Sequence, residues 1–251
     1  MRLLLLGGSG EASALAALLA ERPDIKAVLS LAGRTSAPAA SPLQTRVGGF
    51  GGAPGLTAFL RAEKFDLLAD ATHPFAQSIS ANAARAAREA GVPLVRLTRP
   101  PWRAGPGDRW LDARDMDHAA QLMGHESRRV FLAIGRQQLP AFRAAPQHHY
   151  LVRAIETVEP ELPRCRVILA RGPFSAYAEE ALLRAERIEV VVAKNSGSPA
   201  VEGKLVAARR LRLPVVMVAR PAQAEGAASS PQEALDRILA HAQTLPRGVS
   251  T

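Results

Sequence analysis

The chain has 251 residues, of which 47% are hydrophobic and 22% charged, which excludes a disordered protein and indicates a folded globular one. The net charge of +9 predicts an anionic partner, but the arginines are scattered and aromatic residues are only 4%, which argues against nucleic acid. No apolar run reaches the roughly 18 residues of a membrane span, and the single cysteine, Cys165, excludes an internal disulfide and favours a reducing, cytoplasmic compartment.

Short apolar runs alternate with alanine-rich amphipathic stretches along the chain. Runs of this length, rich in Val, Ile and Leu, predict buried parallel strands, and the stretches between them predict helices. The alternation predicts an α/β fold of βαβ units, in which parallel sheets carry helices on both faces. The predicted strands are residues 3–6, 27–29, 67–69, 94–97, 130–134, 150–152, 167–169, 190–193 and 215–218. The predicted helices are residues 11–21, 54–62, 76–90, 114–123, 176–187, 201–211 and 231–242.

A segment rich in proline and glycine interrupts this alternation at residues 99–107. Its three prolines and two glycines cannot continue a helix or a central strand. We interpret it as a linker between two βα domains, residues 1–107 and 108–251, both of ordinary domain size. A long loop within one sheet is the alternative.

The first glycine cluster, Gly-Gly-Ser-Gly-Glu-Ala at residues 7–12, lies between the first strand and the first helix. Ligands of open parallel sheets bind beyond the carboxyl ends of the strands, and a helix N-terminus there offers N–H groups to a pyrophosphate. Gly8 and Gly10 match the first two glycines of the G-x-G-x-x-G pattern, but Ser13 holds the third place. The cluster predicts a dinucleotide-binding turn, with a plain tight βα turn as the alternative.

The end of the second strand lacks the Asp or Glu that an NAD site uses for the ribose hydroxyls, and Gly33, Arg34 and Thr35 stand there instead. An arginine suits the 2′-phosphate of NADP because it is always charged and can donate two N–H groups at once. The residues therefore favour NADP over NAD and argue against S-adenosylmethionine. A solvated loop arginine is the alternative.

Two further clusters extend the predicted cofactor site. The glycines of residues 48–52 would let the backbone lie close to a flat ligand, or would support a sharp bend. His73, between Thr72 and Pro74, is a candidate proton donor or polar anchor near a nicotinamide ring; a histidine hydrogen-bonded to backbone beside a proline turn is the alternative. The cofactor-binding candidates are Gly8, Ser9, Gly10, Glu11, Ala12, Gly33, Arg34, Thr35, Gly49, Phe50, Gly51, Thr72 and His73.

Cationic and amide side chains follow three strands of the second half. Only four of the 32 basic residues are lysines, so an arginine-rich composition does not explain Lys194, which predicts carboxylate or phosphate binding. A surface charge at a strand end is the alternative. The substrate-binding candidates are Arg136, Gln137, Arg171, Lys194, Asn195 and Ser196.

Other enzyme chemistries find little support in the sequence. Neither tyrosine, Tyr150 or Tyr177, begins the Tyr-x-x-x-Lys pattern of short-chain dehydrogenases. No Gly-x-x-x-x-Gly-Lys-Ser/Thr loop is present for ATP phosphates, and no His/Cys cluster has the spacing of a zinc site, so no metal is predicted.

Taken together, the order and spacing of these motifs resemble the precorrin-6A reductase family, the NADPH-dependent reductases of cobalamin biosynthesis. Ser198 stands where the family pattern has glycine, and Ser9 where threonine is common. The resemblance implies two Rossmann-like domains, each a parallel β-sheet flanked by helices, with NADPH and a tetrapyrrole in a cleft between them. The motifs that carry it are residues 6–12, 33–35, 48–52, 70–76, 99–102, 134–137, 171–174 and 194–197.

The resemblance also implies a reaction, the reduction of the double bond between carbons 18 and 19 of precorrin-6A to give precorrin-6B. Arginines and Lys194 would then hold the acetate and propionate carboxylates of the ring. Two rivals remain at this stage: an NADP-dependent oxidoreductase of another large anionic substrate, and a non-catalytic NADP-sensing or nucleic-acid-binding protein. The sequence leaves the oligomeric state, the proton donor and the presence of cobalt in the ring open.

Overall fold

The computed structural model describes residues 1–33, 40–222 and 226–244. The chain divides into two compact units: unit 1 is residues 1–100 together with the residues after 220, and unit 2 is residues 101–220. In chain order the elements are β1 (Arg2–Leu6), α1 (Gly10–Ala20), β2 (Lys26–Leu31), β3 (Gln44–Val47), α2 (Ala53–Ala62), β4 (Leu67–Asp70), α3 (Gln77–Ala90), β5 (Leu94–Arg96), β6 (Trp110–Ala113), α4 (Met116–Leu122), β7 (Arg129–Ala133), a 3-10 helix (Arg136–Ala144), β8 (His149–Ala154), β9 (Cys165–Leu169), α5 (Ala176–Ala185), β10 (Val190–Lys194), a short 3-10 helix (Pro199–Val201), α6 (Gly203–Arg210), β11 (Val215–Val218) and α7 (Pro231–Thr244).

Unit 1 is a five-stranded parallel sheet with the strand order β3-β2-β1-β4-β5. Side chains of β1 alternate between its two faces. Leu3 and Leu5 pack with α1 and α7, whereas Leu4 and Leu6 pack with α2 and α3. Because β1 is buried on both faces, it needs leucine at every one of these positions, which is why the sequence reads as an unbroken apolar run.

Unit 2 is a six-stranded parallel sheet with the strand order β6-β11-β10-β7-β8-β9. Phe131 of β7, Val191 of β10 and Met217 of β11 pack with Leu183 of α5 and Leu205 of α6 on one face. On the other, α4 contacts the long 3-10 helix as well as β6 and β11. Both units therefore have the three-layer α/β arrangement that the sequence predicts.

All nine predicted strands and all seven predicted helices are confirmed, with ends that shift by a few residues. The sequence gives no signal for β3 and β6, because each is an edge strand with polar residues rather than an apolar run. It also gives none for the 3-10 helix Arg136–Ala144, which contains Pro140. In the described ranges, no helix combines the length and apolarity needed to cross a membrane.

The division of the chain differs from the predicted one in two respects. The chain passes from unit 1 to unit 2 between Pro100 and Pro101, within the predicted linker but before its end at residue 107. The last helix, α7, belongs to unit 1, although the sequence analysis assigns it to the second domain. Its residues Leu235 and Ile238 pack against α1, and this long-range packing is invisible in a local pattern.

Gly55, near the start of α2, has no room for a side chain, because an added Cβ would lie 1.7 Å from the backbone oxygen of Phe50. We expect Gly55→Ala to lower the free energy of unfolding by about 3 kcal/mol, since backbone must move to relieve the clash. Urea denaturation measures this change. In the control Gly49→Ala the new Cβ has no neighbour within 4 Å among the described residues, and the loss should stay within about 0.5 kcal/mol. Equal losses in the two variants would contradict the prediction.

Candidate functional site

The strand order of unit 1 reverses between β1 and β4, and ligands of open α/β sheets bind at such a switch point, beyond the carboxyl ends of the strands. The turn after β1 carries the first glycine cluster, and the segment after β4 carries Thr72 and His73. The hydroxyl of Ser9 donates a hydrogen bond of 2.7 Å to the backbone oxygen of Ala71. Two predicted cofactor segments, 62 residues apart, are thus joined directly.

The turn after β1 has the form that a phosphate-binding turn requires. Ser9 is the N-cap of α1, and its hydroxyl accepts a hydrogen bond of 3.1 Å from the N–H of Ala12. Gly8 has a φ of 111°, which glycine adopts readily, and no atom of the described residues lies within 4 Å of a Cβ added to Gly8 or Gly10. The backbone here is open to a pyrophosphate, while the Ser9 hydroxyl is occupied within the protein.

Glu11 in the first turn of α1 forms a buried ion pair with Arg99, and the two side chains are 17% and 8% exposed. A lone carboxylate beside this turn would repel a pyrophosphate, and the guanidinium neutralises it. Arg99 was not among the candidate site residues. It stands 88 residues from Glu11, and no local pattern could have paired them.

The segment after β4 is held by hydrogen bonds around a buried carboxylate. Asp70 accepts at Oδ1 from both the N–H of Thr72, at 3.2 Å, and its hydroxyl, at 2.7 Å. The Thr72 hydroxyl is also 3.1 Å from that of Ser80 in α3. The Nδ1 atom of His73 accepts from the N–H of Phe75 at 3.2 Å, so the neutral ring carries its hydrogen on Nε2. Thr72 therefore shapes the loop, and His73 makes the backbone contact foreseen beside a proline turn.

Arg46 in β3 organises the glycine loop at residues 48–52, a role that the sequence analysis missed. Its guanidinium donates to the backbone oxygens of Gly48 and Gly49, at 2.6 and 2.8 Å, and lies 4.0 Å from the ring centroid of Phe50. Phe50 also packs against Phe59 of the core. The Phe50 ring is therefore largely engaged within unit 1, and Gly51, at a φ of 74°, serves the bend.

The predicted residues at the end of β2 are only partly described. Gly33 has a φ of 70° and lies beside Gly48, whose nitrogen is 3.9 Å from an added Cβ. Arg34 and Thr35 lie outside the described residues. The guanidinium of Arg46 comes within 3.4 Å of the Ser30 hydroxyl near the end of β2. The described residues therefore place a positive charge near the end of this strand.

The strand order of unit 2 reverses between β7 and β10, and two predicted substrate residues flank this second switch point. The Nζ atom of Lys194 lies 3.7 Å from the position of an added Cβ on Gly135, so the ends of the two strands meet. Arg136 starts the long 3-10 helix, with an exposed guanidinium 4.0 Å from Glu156, and Gln137 beside it is exposed. Arg171 follows β9 at the sheet edge, separated from β7 by β8.

Asn195 and Ser196 fix the polypeptide where it enters and leaves unit 2. The Asn195 side chain accepts from the N–H of Trp102 at 2.8 Å and donates to its oxygen at 3.0 Å. Arg220 donates to the backbone oxygens of Asn195, at 2.7 Å, and Ser196, at 2.8 Å. Both the oxygen and the NH₂ group of the Asn195 amide are thus hydrogen-bonded within the protein. This geometry supports an anchoring role rather than substrate contact.

A buried ion pair lies at the end of β8. Arg153 and Glu179 make two hydrogen bonds of 3.0 and 2.6 Å, with side chains only 11% and 2% exposed. The Arg153 guanidinium also lies 3.9 Å from the ring centroid of Phe174. Neither charged residue was predicted, because an ordinary arginine and glutamate 26 residues apart carry no recognisable spacing.

Lys204, in the first turn of α6, is a second buried cation of unit 2. It is 5% exposed, donates to the backbone oxygen of Val201, and lies 5.1 Å from the ring centroid of Trp102. Burial lowers its pKa to about 8, because Glu179 and Glu202 offset the lost hydration only in part and Arg153 and Lys194 act in the opposite direction. Within the described ranges, no group of three or more His, Cys, Asp or Glu side chains is placed to hold a metal ion.

Comparison with known proteins identifies the family. The sequence model of the family described as precorrin-6x reductase CbiJ/CobK matches residues 2–239. The chain belongs to this family. The precorrin-6A reductase of Sinorhizobium sp is 50% identical over 240 residues, covering 94% of this chain and 92% of that one. The precorrin-6A reductase of Rhodobacter capsulatus is 48% identical over 250 residues, covering 99% of each.

A solved structure described as CobK precorrin-6A reductase superposes on this chain with a TM-score of 0.92. It is 47% identical and covers 99% of this chain and 100% of its own. This match confirms the predicted α/β fold of two Rossmann-like domains, and the sequence relatives confirm that the chain is a reductase of this family.

The buried ammonium of Lys204 predicts a pH-dependent stability. Its pKa is lower in the folded protein than its ordinary value of 10.5, so between about pH 8 and pH 10.5 the unfolded chain binds one proton more and folding is favoured as pH rises. We expect the unfolding free energy of the wild type to rise by about 3 kcal/mol relative to Lys204→Met over this range. Urea denaturation at pH 7 and pH 10 measures the difference.

The variant Lys26→Met removes an exposed ammonium and serves as the control, with the same pH dependence as the wild type expected. A difference between wild type and Lys204→Met that stays constant from pH 7 to pH 10 would contradict the prediction.

Proposed function

We propose that this protein uses NADPH to reduce the double bond between carbons 18 and 19 of precorrin-6A, giving precorrin-6B in cobalamin biosynthesis. The observation that carries the proposal is the similarity to precorrin-6A reductases, which reaches 48% identity over 99% of the chain. The two switch points, each flanked by the predicted motifs, support it independently. The single cysteine fits a cytoplasmic enzyme.

The cofactor binds unit 1 in this proposal. The open backbone of Gly8 and Gly10 and the N-terminus of α1 hold the pyrophosphate, with Arg99 cancelling the charge of Glu11. Ser9 and Ala12 contribute through the backbone and the shape of the turn, since the Ser9 hydroxyl is already engaged. NADPH, when bound, supplies the hydride. The chain's own contribution is to orient the two flat ring systems and exclude water between them.

The preference for NADPH over NADH is supported by the end of β2. No carboxylate stands between Ser30 and Thr35 to bind the ribose hydroxyls. Arg34 follows β2 in the sequence, and the guanidinium of Arg46 lies near Ser30 at the end of that strand. We assign Arg34 to the 2′-phosphate. The glycine loop held by Arg46, with Gly49 and Gly51, completes the wall of this site.

The substrate binds unit 2 in this proposal, through charge-assisted hydrogen bonds to its carboxylates. Arg136, Gln137 and Lys194 lie at the switch point, and Arg171 lies farther along the same sheet edge. Ser196 is 6% exposed, so its contribution is through the turn that presents Lys194. The positive charge of Lys204 behind this edge adds to the attraction for a polycarboxylate.

Hydride addition at one carbon requires a proton at the neighbouring carbon. We assign His73 of unit 1 as the candidate proton donor or polar anchor for this step. Its Nδ1 atom accepts from the backbone of Phe75, so the proton to be donated, or the polar contact to be made, is at Nε2. Water or a group of the substrate would replace His73 in this role if the residue serves only as an anchor.

The direct test of the reaction uses the purified protein with precorrin-6A and NADPH, and follows the absorbance of the reduced nicotinamide. We expect NADPH to be oxidised in proportion to the precorrin-6B formed. The cobalt-containing substrate is tested in parallel to determine which form is used. Absence of NADPH consumption with both forms would refute the assignment.

Arg34 provides the test of cofactor choice. We expect Arg34→Ala to weaken NADPH binding by about 1–3 kcal/mol, the strength of hydrogen bonds to a charged group, and to leave NADH binding almost unchanged. Binding titrations with both cofactors measure the two losses. Equal losses would contradict contact with the 2′-phosphate.

A further inference from the structure

Residues 171–174 of unit 2 lead from the end of β9 to the start of α5. They carry the exposed Arg171, to which the proposed function assigns a carboxylate of the substrate. An arginine on a loosely held backbone binds weakly, because the free energy of binding must then also order the chain. The contacts that hold this segment therefore bear on the affinity of unit 2 for a carboxylate.

The backbone around Phe174 is fixed on both sides. Its N–H donates to the backbone oxygen of Ala200 at 3.0 Å. A Cβ added to Gly203, the first residue of α6, would lie 2.5 Å from the backbone oxygen of Phe174, so α6 packs directly on the segment. On the other side Ser175 is the N-cap of α5, and its hydroxyl accepts from the N–H of Ala178 at 3.2 Å.

The side chain of Phe174 packs on a guanidinium that is itself held in place. The guanidinium of Arg153 lies 3.9 Å from the ring centroid of Phe174 and 4.9 Å from that of Phe131 in β7. Its two terminal nitrogens donate to the two carboxylate oxygens of Glu179, at 3.0 and 2.6 Å. A guanidinium bound at both nitrogens keeps one orientation, so it offers the aromatic ring a fixed cationic surface.

These contacts form a closed ring that ties the segment to the sheet. Arg153 belongs to β8, and Glu179 belongs to α5, where its N–H donates to the backbone oxygen of Ser175 at 3.0 Å. The ring runs from Phe174 to Arg153, on to Glu179, and back through the first turn of α5. A buried ion pair contributes little net stability, because desolvation offsets the attraction. Its effect here is to determine the direction in which the segment leaves α5.

Building on the proposed function, we propose that Arg153, Glu179 and Phe174 position Arg171 to bind a carboxylate of the substrate. Both terminal nitrogens of Arg153 are engaged with Glu179, and its side chain is 11% exposed. It therefore acts on the substrate through the segment that it holds. The held segment lowers the entropic cost of binding, so the arrangement tightens substrate binding and leaves the hydride step unchanged.

Steady-state kinetics with saturating NADPH tests this role in two variants. Arg153→Met combined with Glu179→Met removes both charges together and leaves no buried charge unpaired, whereas Phe174→Leu keeps the ion pair and removes the ring. We expect each to raise KM for precorrin-6A about tenfold, with kcat within about twofold of the wild type. The control Arg166→Met removes an ion pair to Glu186 at the opposite end of α5, and both constants should stay unchanged.

The same variants in an Arg171→Met background decide whether the effect passes through Arg171. We expect no further rise in KM from Phe174→Leu or from the Arg153 and Glu179 pair of substitutions, because the group that they position is gone. An equal rise with and without Arg171 would show a separate contribution and overturn the inference. A KM that neither variant changes in the wild-type background would overturn it as well.

Amide hydrogen exchange of the full chain tests the hold on the segment without any substrate. We expect the N–H of Phe174 to exchange about tenfold faster when Arg153 and Glu179 are both methionine, and at the wild-type rate in Arg166→Met. Unchanged exchange would contradict the inference and leave the reductase assignment intact. A wild type with the expected exchange pattern that does not oxidise NADPH with precorrin-6A would overturn the proposed function, and with it the substrate role of Arg171.

Discussion

The parallel pairing of β1 with β4 is the contact on which the candidate cofactor site depends. In its register Leu6 lies opposite Asp70, so the glycine turn and the segment that carries His73 begin at the same level of the sheet edge. In this register the Ser9 hydroxyl donates to the backbone oxygen of Ala71 and joins the two segments. A shift by one residue would turn Asp70 to the other face of the sheet and move Ala71 away from Ser9.

The second unit also has a switch point in its strand order, with a different set of residues beside it. Its strand order reverses between β7 and β10, and cationic and amide side chains accompany the glycines at that reversal. Behind them lie Arg153, paired with Glu179, and Lys204, which forms no ion pair with a carboxylate in the described part of the chain. A buried ammonium whose lost hydration is only partly offset costs folding free energy. In the proposed function the carboxylates of the substrate would offset part of that cost.

The sequence predicted best those parts of the fold where burial alone determines residue type. The central strands are apolar throughout because both faces are covered, whereas the edge strands Gln44–Val47 and Trp110–Ala113 are half exposed and carry no such signature. The location of the glycine turns at strand ends was likewise readable. The side-chain partners of the residues near these turns could not be predicted, because Arg99 and Glu11 are 88 residues apart and Trp102 and Asn195 are 93 residues apart. Contacts of that separation arise from topology, which local residue patterns do not specify.

The contacts of Asn195 bring the two ends of unit 2 together. Trp102, just after the chain enters unit 2, and Arg220, just before it leaves, are both bonded to this one residue. Unit 2 is therefore a continuous segment whose two ends are neighbours, inserted into a first unit that is completed by α7. A segment with adjacent ends can be gained or exchanged in a single genetic event without disturbing the sheet that receives it.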